Sequence, residues 1–424
     1  MFWLIEDSEQ FKDFSYQGFN EVFLEVIPNN FNTHPILDNV SLLYVRPLNA
    51  HKGYMLCINH SETLSLELDV VLQTLSKIEK IYVRNKKLTL QYLPLKALFD
   101  IQPTHNTYIP EQPQTYKYFY QHHNNKADVN RIIPVVKHYE YCEAIFSDLE
   151  VFNIDCKDDY CQWFNNRSSI VFSAIEANGL KINKKLFEEH FKPIDGDYAY
   201  TQYNLKTLTT RPSNIFNGVN YAALNKENGQ RQCFIPRNDL LLELDISAYH
   251  PTLLANLIGY KFDDGDIHAS FAKMYGVGYK KAKELTFKQL YGGVFKQYKD
   301  LEFFKKVQAY TDDLWDTFQY QGWIKMPQSG YILRKDDTQD MKPQKLLNYV
   351  LQNLETSTNV CILWDILKLL RGKKTKLVLY TYDAFLLDLS KEEKDIVKEI
   401  NKIIKGYKLA TKISYGNTYN FTEE

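Results

Sequence analysis

The sequence has no excess of basic residues and few cysteines, and each shortage excludes a class of protein. The 51 lysines and arginines are balanced by 52 aspartates and glutamates, for a formal net charge of −1. The chain therefore lacks the overall basic character of a nucleic-acid-binding protein, and binding of that kind would need a locally basic cleft. The six cysteines show neither a CxxC pair nor the cysteine and histidine spacing of a zinc site, which favours free thiols.

Long apolar segments are missing as well. No stretch approaches the roughly 18 apolar residues of a membrane span, and the opening MFWLIED lacks the charged start and long apolar core of a secretion signal. We therefore expect a soluble, cytoplasmic protein with no membrane partner. What the chain does have is 424 residues with 44% hydrophobic content, enough for two or three domains with real cores.

The stretch LLLELDISAYHPTLLANLIGY, residues 240–260, is the most informative part of the chain. Its apolar start alternates as a buried strand requires, which places Asp245 at or near the end of a strand. Pro251 suits the first turn of a helix that follows. Taken alone, Asp245 fits an ordinary strand-end or capping aspartate at least as well as a catalytic one.

A second strand-like segment with an acidic residue at a bend comes late in the chain. KLVLYTYDAFLLDL, residues 376–389, has the pattern of a hairpin that turns around Asp383. Two aspartates at strand ends can meet on one face of a sheet, however far apart they are in sequence. Magnesium prefers oxygen ligands, and a pair of such ions activates an attacking hydroxyl and stabilises the leaving oxygen in phosphoryl transfer.

Between these strands, VGYKKAKELTFKQLYGG, residues 276–293, has the pattern of a helix that ends at a glycine pair. Lys283, Phe287 and Tyr291 recur every four residues and therefore line one face. A lysine above two aromatic rings suits a triphosphate and a stacked base. The same pattern fits an amphipathic helix with a basic, solvated edge, and the helix alone does not decide between the two.

In this order, the three stretches resemble motifs A, B and C of family A DNA polymerases. Further segments that resemble the family are TTRPSN with Asn217, Asn220 and Tyr221 downstream, RQCFIPRND at 231–239, Asp266-Ile267-His268, and Asn348 with Gln352 on one helix. The resemblance covers about residues 165–424. Each motif is weak by itself, and their order and spacing make the set specific.

The resemblance implies a role for each matching residue. Asp245 and Asp383 would hold two Mg²⁺ ions, for which Mn²⁺ could substitute, and Lys283 would neutralise charge on the leaving phosphates. Phe287 and Tyr291 would shape the pocket of the new base pair. The residues implied to hold the template and primer near the growing end are Arg211, Asn348 and Gln352. The implied partners are primer-template DNA and dNTPs.

Three positions depart from the family pattern. His250 stands where the family has a glutamate that restricts the sugar pocket, which leaves ribose discrimination open, although an imidazole could still block a 2′-hydroxyl. Ala384 replaces the accessory glutamate of motif C. Tyr279 replaces the arginine at the start of the motif B helix, with Lys280 and Lys281 adjacent as substitutes for binding the nucleotide. The departures indicate a compact, divergent enzyme, which we expect to be phage-encoded.

The implied fold class is α+β: a right-hand polymerase palm and fingers with a reduced or missing thumb, after an α/β RNase H-like domain of the 3′–5′ exonuclease type. We predict the exonuclease-like domain at 1–125, a helical linker or thumb substitute at 126–165, palm at 166–260, fingers at 261–335 and palm again at 336–424. Fewer than twenty residues separate Phe191 from TTRPSN, too few for a helical thumb. A processivity protein or thumb-supplying partner is therefore expected, unless the linker helices grip the duplex.

The N-terminal region has the pattern of β-strands at EVFLEVIP, SLLYVRPL, GYMLCIN and KIYVRN. It lacks the acidic residues of a proofreading exonuclease. Glu25 stands without the second acid expected on the first strand, Thr89 replaces an aspartate, and Asn106-Thr107 replaces an Asp-Thr pair. Two metal ions cannot be held without acidic ligands. We therefore predict a degenerate exonuclease scaffold with no nuclease activity.

Three functions compete on the sequence alone. The first is a template-directed DNA polymerase, a nucleotidyltransferase that extends a primer 3′-hydroxyl with dNTPs. The second is a catalytically inactive, polymerase-derived nucleic-acid-binding protein, and the third is another two-metal enzyme such as a nuclease. Retention of Asp245, Asp383 and Lys283 favours an enzyme, because a binding module has no need of acids that face a cavity. The motif B helix favours the polymerase over the nuclease.

Overall fold

The structure, a computed structural model, describes residues 2–101, 113–123, 128–150, 158–216, 218–262 and 266–421. The chain divides into two compact units, Met1–Ala177 and Asn178–Glu424. Three residues to which the resemblance pointed, Asn106, Thr107 and Asn217, lie outside the described residues, as do 126–127 and 151–157 of the region predicted as a linker. None of the described helices has the length and apolar character needed to cross a bilayer.

The first unit is built on a mixed six-stranded sheet. Its strands are β1 (Trp3–Ile5), β2 (Glu21–Pro28), β3 (Val40–Pro47), β4 (Tyr54–Cys57), β5 (Lys80–Val83) and β6 (Leu98–Asp100). Across the sheet the order is β1-β4-β3-β2-β5-β6. Strands β2, β3 and β4 pair antiparallel, whereas β5 runs parallel to β2 and β6 parallel to β5. The strands predicted from sequence in this region are thereby confirmed.

Helices cover both faces of this sheet, which explains why β2 and β3 are apolar along most of their length. The helices are α1 (Ser8–Tyr16), α2 (Leu68–Leu75), α3 (Lys86–Tyr92), α4 (Gln114–His122), α5 (Val135–Glu150) and α6 (Asn166–Asn178). One face packs against α1 and α2 through Phe14 and Val71. The other packs against α5 through Cys142 and Phe146, so this helix of the predicted linker segment belongs to the core of the first unit.

The second unit contains a four-stranded antiparallel sheet with the order β15-β16-β12-β17. The strands of the unit are β7 (Leu180–Lys181), β8 (Tyr198–Ala199), β9 (Tyr203–Asn204), β10 (Ser213–Phe216), β11 (Val219–Asn220), β12 (Leu240–Ser247), β13 (Trp323–Lys325), β14 (Ile332–Arg334), β15 (Lys376–Thr381), β16 (Ala384–Leu389) and β17 (Ala410–Gly416). Between His190 and β10, the fully described residues 191–212 contain only β8 and β9 and no helix.

Two cores support this unit. The helices are α7 (Lys184–His190), α8 (Tyr249–Leu257), α9 (Ile267–Tyr275), α10 (Tyr279–Gly292), α11 (Glu302–Gln321), α12 (Pro343–Leu369) and α13 (Ile396–Gly406). One core joins the four-stranded sheet to α7 through Leu241, Leu386 and Phe187. The other core lies among the five helices α8, α9, α10, α11 and α12, and it includes the buried side chains of Phe271 and Phe303.

Among the cysteines that the structure describes, one departs from expectation. Cys57, Cys142, Cys233 and Cys361 are free thiols, as the sequence predicts. Cys161 is disulfide-bonded, so the expectation of free thiols is wrong there.

Candidate active site

The pairing of β12 with β16 brings Asp245 and Asp383 side by side. Asp245 lies opposite Ala384 in the antiparallel register, and Asp383 immediately precedes Ala384. The N–H of Ile246 donates to the carbonyl of Asp383 at 2.8 Å, which fixes the backbone between the two aspartates. Both side chains line one cavity. The two aspartates that sequence analysis expected to converge are therefore brought together.

Burial and negative neighbours raise the pKa of both carboxyls. The pKa of Asp245 lies at about 6, mainly because of burial and then because of the charges of Asp383 and Glu243. Lys283 acts in the opposite sense and lowers the pKa of Asp245. Burial is also the largest cause of the raised pKa of Asp383, to which the charge of Glu355 contributes. Burial is thus the main reason why the ionised forms of both carboxyls are disfavoured, and negative neighbours add to its effect.

The cavity has a volume of about 440 Å³ and collects most of the predicted site residues. Seven of the ten line it: Arg211, Asp245, His250, Lys283, Phe287, Tyr291 and Asp383. Three do not line it: Lys280, Asn348 and Gln352. Two lining residues had no place in the sequence analysis, and they are Glu355 and Lys412.

Helix α10 forms one wall of the cavity. Lys283, Phe287 and Tyr291 share its cavity face, and the two rings are stacked with centroids 6.0 Å apart. Ala282 and Leu290 on its other face are buried in the helical core. The helix is therefore amphipathic, but its outer face borders the cavity that holds the two aspartates rather than open solvent alone. It ends at Gly292, as predicted.

The start of α9 contributes a further titratable group, His268, to the cavity. Asp266 caps this helix by accepting hydrogen bonds from the N–H groups of His268 and Ala269. His268 lines the cavity, and burial together with the positive charge of Lys283 lowers its pKa. A neutral imidazole beside a lysine can donate one hydrogen bond to a phosphate oxygen.

His250 is held through both ring nitrogens. Its Nε2 lies 2.6 Å from one carboxylate oxygen of Glu355, and its Nδ1 contacts the hydroxyl of Tyr291. Arg211 donates to the other oxygen of Glu355 at 3.3 Å and stacks on the ring of Tyr382 at 3.8 Å. The imidazole is thus a rigid part of the cavity wall.

Glu355 is the residue that sequence analysis missed at the centre of this network. It lies on α12, and its side chain is only 2% exposed. Asn348, Gln352 and Glu355 follow one stripe of the helix at spacings of four and three, so the predicted residues share the face but lie farther from the aspartates. The Oδ1 of Asn348 is buried and finds no hydrogen-bond partner among the described residues.

Removing the Glu355 carboxylate should destabilise the protein. In Glu355→Ala, Arg211 and His250 lose a buried partner, and we expect a loss of roughly 2–3 kcal/mol in the free energy of unfolding. Urea unfolding would measure it, with the exposed Glu302→Ala on α11 as control. Equal stability of the two variants would show that the network contributes nothing to folding.

Left-handed backbone conformations occur beside three site residues. Thr210, Ala248 and Tyr382 have φ values of 61°, 46° and 61°. Thr210 precedes Arg211, Tyr382 precedes Asp383, and Ala248 lies three residues after Asp245. Such conformations cost free energy in residues other than glycine and persist only when the surroundings impose them. At Tyr382 the carbonyl accepts a hydrogen bond from Asn359 at 2.7 Å.

Replacing Ala248 with glycine should therefore stabilise the protein. Relief of the left-handed strain is expected to raise the free energy of unfolding by about 0.5–1 kcal/mol. The control is Ala255→Gly on the following helix, which should lower it by about 1 kcal/mol, because glycine is unfavourable inside a helix. Denaturant unfolding of both variants tests the pair, and a loss of stability in Ala248→Gly would contradict it.

Two acidic side chains on the sheet of the first unit accept hydrogen bonds from neighbouring protein groups. Glu25 on β2 accepts from Arg84 at 2.6 Å, and Asp100 accepts from the N–H of Lys86 at 3.2 Å. The Thr89 hydroxyl donates to the carbonyl of Asn85 within its own helix. No group of three or more histidines, cysteines or acids placed to hold a metal occurs among the described residues of either unit.

Comparison with known proteins rests on structure alone. No protein-family model and no curated protein matches the chain. Among solved structures, the chain is similar to the POL domain of Pol1 from M. smegmatis in complex with DNA primer-template and dNTP. The TM-score is 0.68 at 11% identity, over 98% of this chain and 99% of that one. The chain thus has a fold similar to that of a Pol I polymerase domain, which confirms a polymerase-like fold, whereas the exonuclease-type domain and the reduced thumb stay predictions.

Proposed function

We propose that the protein is a template-directed DNA polymerase of the family A type, which extends a primer 3′-hydroxyl with dNTPs. The observation that carries this proposal is the cavity that Asp245, Asp383 and Lys283 share. In it, a carboxylate on β12 and a carboxylate at the bend between β15 and β16 lie together with a lysine on α10. The Pol1 structure of similar fold contains primer-template and dNTP, and the same two partners are proposed here.

Two Mg²⁺ ions, or Mn²⁺ in their place, suit the donor set of the cavity. Asp245 and Asp383 present carboxylate oxygens whose pKa values are raised by burial and by neighbouring negative charge, the condition that a cation relieves. Two protein carboxylates are few, but magnesium usually takes its other ligands from substrate phosphates and water. When bound, the ions would supply activation of the hydroxyl and stabilisation of the leaving oxygen.

The remaining residues would bind and orient the substrates. Lys283 would neutralise charge on the leaving phosphates, and Phe287 and Tyr291 would contact the new base pair. Arg211, fixed between Glu355 and the Tyr382 ring, would reach the end of the duplex. Three further residues remain proposed substrate contacts although they do not line the cavity: Lys280, which is exposed, and Asn348 and Gln352, which are half-buried.

His250 would set the choice of sugar. Its ring is fixed by Glu355 and Tyr291, so it cannot swing away from a 2′-hydroxyl. We propose that His250 discriminates against ribonucleotides by steric exclusion of the 2′-hydroxyl. A flexible side chain would move aside and admit that hydroxyl.

The first unit would be an RNase H-like scaffold of exonuclease type without nuclease activity. Its three antiparallel strands followed by two parallel ones fit such a scaffold, and Glu25 is engaged by Arg84. The absence of a helix in residues 191–212 fits a reduced thumb, with a processivity or thumb-supplying protein as the further partner. We also propose that the enzyme is divergent, phage-encoded and cytoplasmic.

Primer extension tests the proposal. The wild type should extend a labelled primer on a single-stranded template with Mg²⁺ and dNTPs, and Asp245→Ala should not. Ribonucleotides should be used poorly, and the primer should stay intact when nucleotides are omitted. No extension, even with excess enzyme and Mn²⁺, would instead favour a catalytically inactive nucleic-acid-binding protein.

A further inference from the structure

A buried amide on α12 connects the two segments that carry the aspartates. Asn359 is fully buried and does not line the cavity. Its Oδ1 accepts a hydrogen bond from the hydroxyl of Tyr249 at 2.7 Å, and its Nδ2 donates to the carbonyl of Tyr382 at 2.7 Å. Tyr249 lies four residues after Asp245, and Tyr382 immediately precedes Asp383. One side chain therefore bonds to a residue close in sequence to each aspartate.

The neighbours of this amide fix its direction. The carbonyl of Tyr382 can only accept a hydrogen bond, so the nitrogen of Asn359 must face it. The same nitrogen donates to the hydroxyl of Tyr380 at 3.1 Å. The hydroxyl of Tyr249, which also lies 3.4 Å from the carbonyl of Glu355, donates to the remaining oxygen of the amide. Both ends of the amide are thus satisfied, and a fully satisfied buried polar network is rigid.

Both connections end beside a residue with left-handed backbone. Ala248, which precedes Tyr249, has a φ of 46°, and Tyr382 has a φ of 61°. Neither residue is a glycine, so each conformation costs free energy and persists only where neighbouring groups impose it. Without the bond from Asn359, the backbone at Tyr382 loses an anchor, and the carboxylate of Asp383 is then held less tightly.

We propose that Asn359 is a positioning residue for the two carboxylates: it fixes the spacing of Asp245 and Asp383 without touching a substrate. The inference rests on the proposed function, in which both carboxylates hold the same pair of ions. Magnesium demands a nearly ideal octahedral arrangement of its ligands, so two carboxylates that share such ions need a set spacing. Groups that orient the ligands of a metal typically contribute about ten- to hundredfold to its affinity.

Titration of the free protein with Mn²⁺, followed by the electron paramagnetic resonance of the unbound ion, tests the inference. Asn359→Ala should weaken Mn²⁺ binding by about tenfold, whereas Asp245→Asn should remove it. The matched control is Asn353→Ala, at a second fully buried asparagine of α12, which bonds to Thr210 and Ser329 at 2.8 Å each. This control loses a buried amide of the same kind and should bind Mn²⁺ as the wild type does.

The outcomes separate the inference from the proposed function. Equal affinities of Asn359→Ala and the wild type, or equal losses in Asn359→Ala and Asn353→Ala, would overturn the inference and leave the proposed function standing. If the wild type binds Mn²⁺ no better than Asp245→Asn, the proposed metal site fails and the inference fails with it. Should Asn359→Ala not fold, Tyr249→Phe removes one bond to the same amide without leaving a cavity. Its Mn²⁺ affinity should fall by about threefold, and an unchanged affinity would overturn the inference.

Primer extension over a range of Mg²⁺ concentrations gives a second readout, which a general loss of stability would not reproduce. Asn359→Ala should need about tenfold more Mg²⁺ than the wild type for half of its maximal rate. At saturating Mg²⁺ it should recover most of the wild-type kcat, because its two carboxylates are still present. A normal Mg²⁺ requirement with a lowered kcat would contradict a role in spacing the carboxylates.

Discussion

Replacing Asp245 with asparagine is expected to reduce nucleotide incorporation sharply and to make the free protein more stable at neutral pH. Loss of the carboxylate removes a proposed metal ligand, and we expect incorporation to fall by about a thousandfold. The pKa of this carboxyl is about 6 in the folded protein, against an ordinary value of 3.8. Ionisation therefore opposes folding as pH rises from about 4 to about 6, and a neutral amide avoids this loss.

The stability gain is best measured by thermal unfolding at pH 5 and pH 7.5. After allowance for solvent screening, we expect Asp245→Asn to gain about 1–2 kcal/mol at the higher pH and less at the lower. Mg²⁺ should raise the Tm of the wild type more than that of the variant, because a ligand stabilises the state that binds it. Asp395→Asn, at an exposed position, is the control. Wild-type incorporation or a lower Tm in Asp245→Asn would contradict the account.

Lys283→Ala should reduce kcat by about a hundredfold, because the developing charge on the leaving phosphates would lose its cation. Lys288→Ala on the same helix is the matched control, since Lys288 is exposed and does not line the cavity. Single-turnover incorporation would separate this effect from product release. A similar loss in both variants would point to the charge of the helix as a whole.

The same variant has a pH signature that simple misfolding would not reproduce. The charge of Lys283 lowers the pKa of Asp245, so its removal should raise that pKa further. The acid limb of the pH–rate profile of Lys283→Ala is therefore expected to move to higher pH, while Lys288→Ala keeps the wild-type profile. An unshifted acid limb would show that Asp245 does not limit the rate there.

Local patterns made much of the site predictable. Alternating leucines fix the strand that carries Asp245, and the four-residue spacing of Lys283, Phe287 and Tyr291 fixes the face of α10. Turn residues around Asp383 fix the bend between β15 and β16. Each of these signals lies within a dozen or so residues, where periodicity and turn chemistry act directly on the backbone.

Such local patterns do not predict contacts between segments that are distant in sequence. Lys412 reaches the cavity only because β17 pairs with β12 in a register that sets it opposite Asp245. Glu355 is one polar residue among several on α12, and nothing in its helix shows that Arg211 and His250 will converge on it. Asn348 and Gln352 share a face of α12 with Glu355 but do not line the cavity, and their contact with template and primer stays a prediction.

The position of β17 at the edge of its sheet has a consequence for solubility. An edge strand presents backbone groups that a second copy of the chain can pair with, and charged side chains, lysine above all, discourage such pairing. Ile413 and Tyr415 are exposed on this strand, and Lys412 lies next to them. We therefore expect Lys412 to discourage edge-to-edge pairing of two copies. Apolar substitutions there should be checked for self-association before lost activity is ascribed to the site.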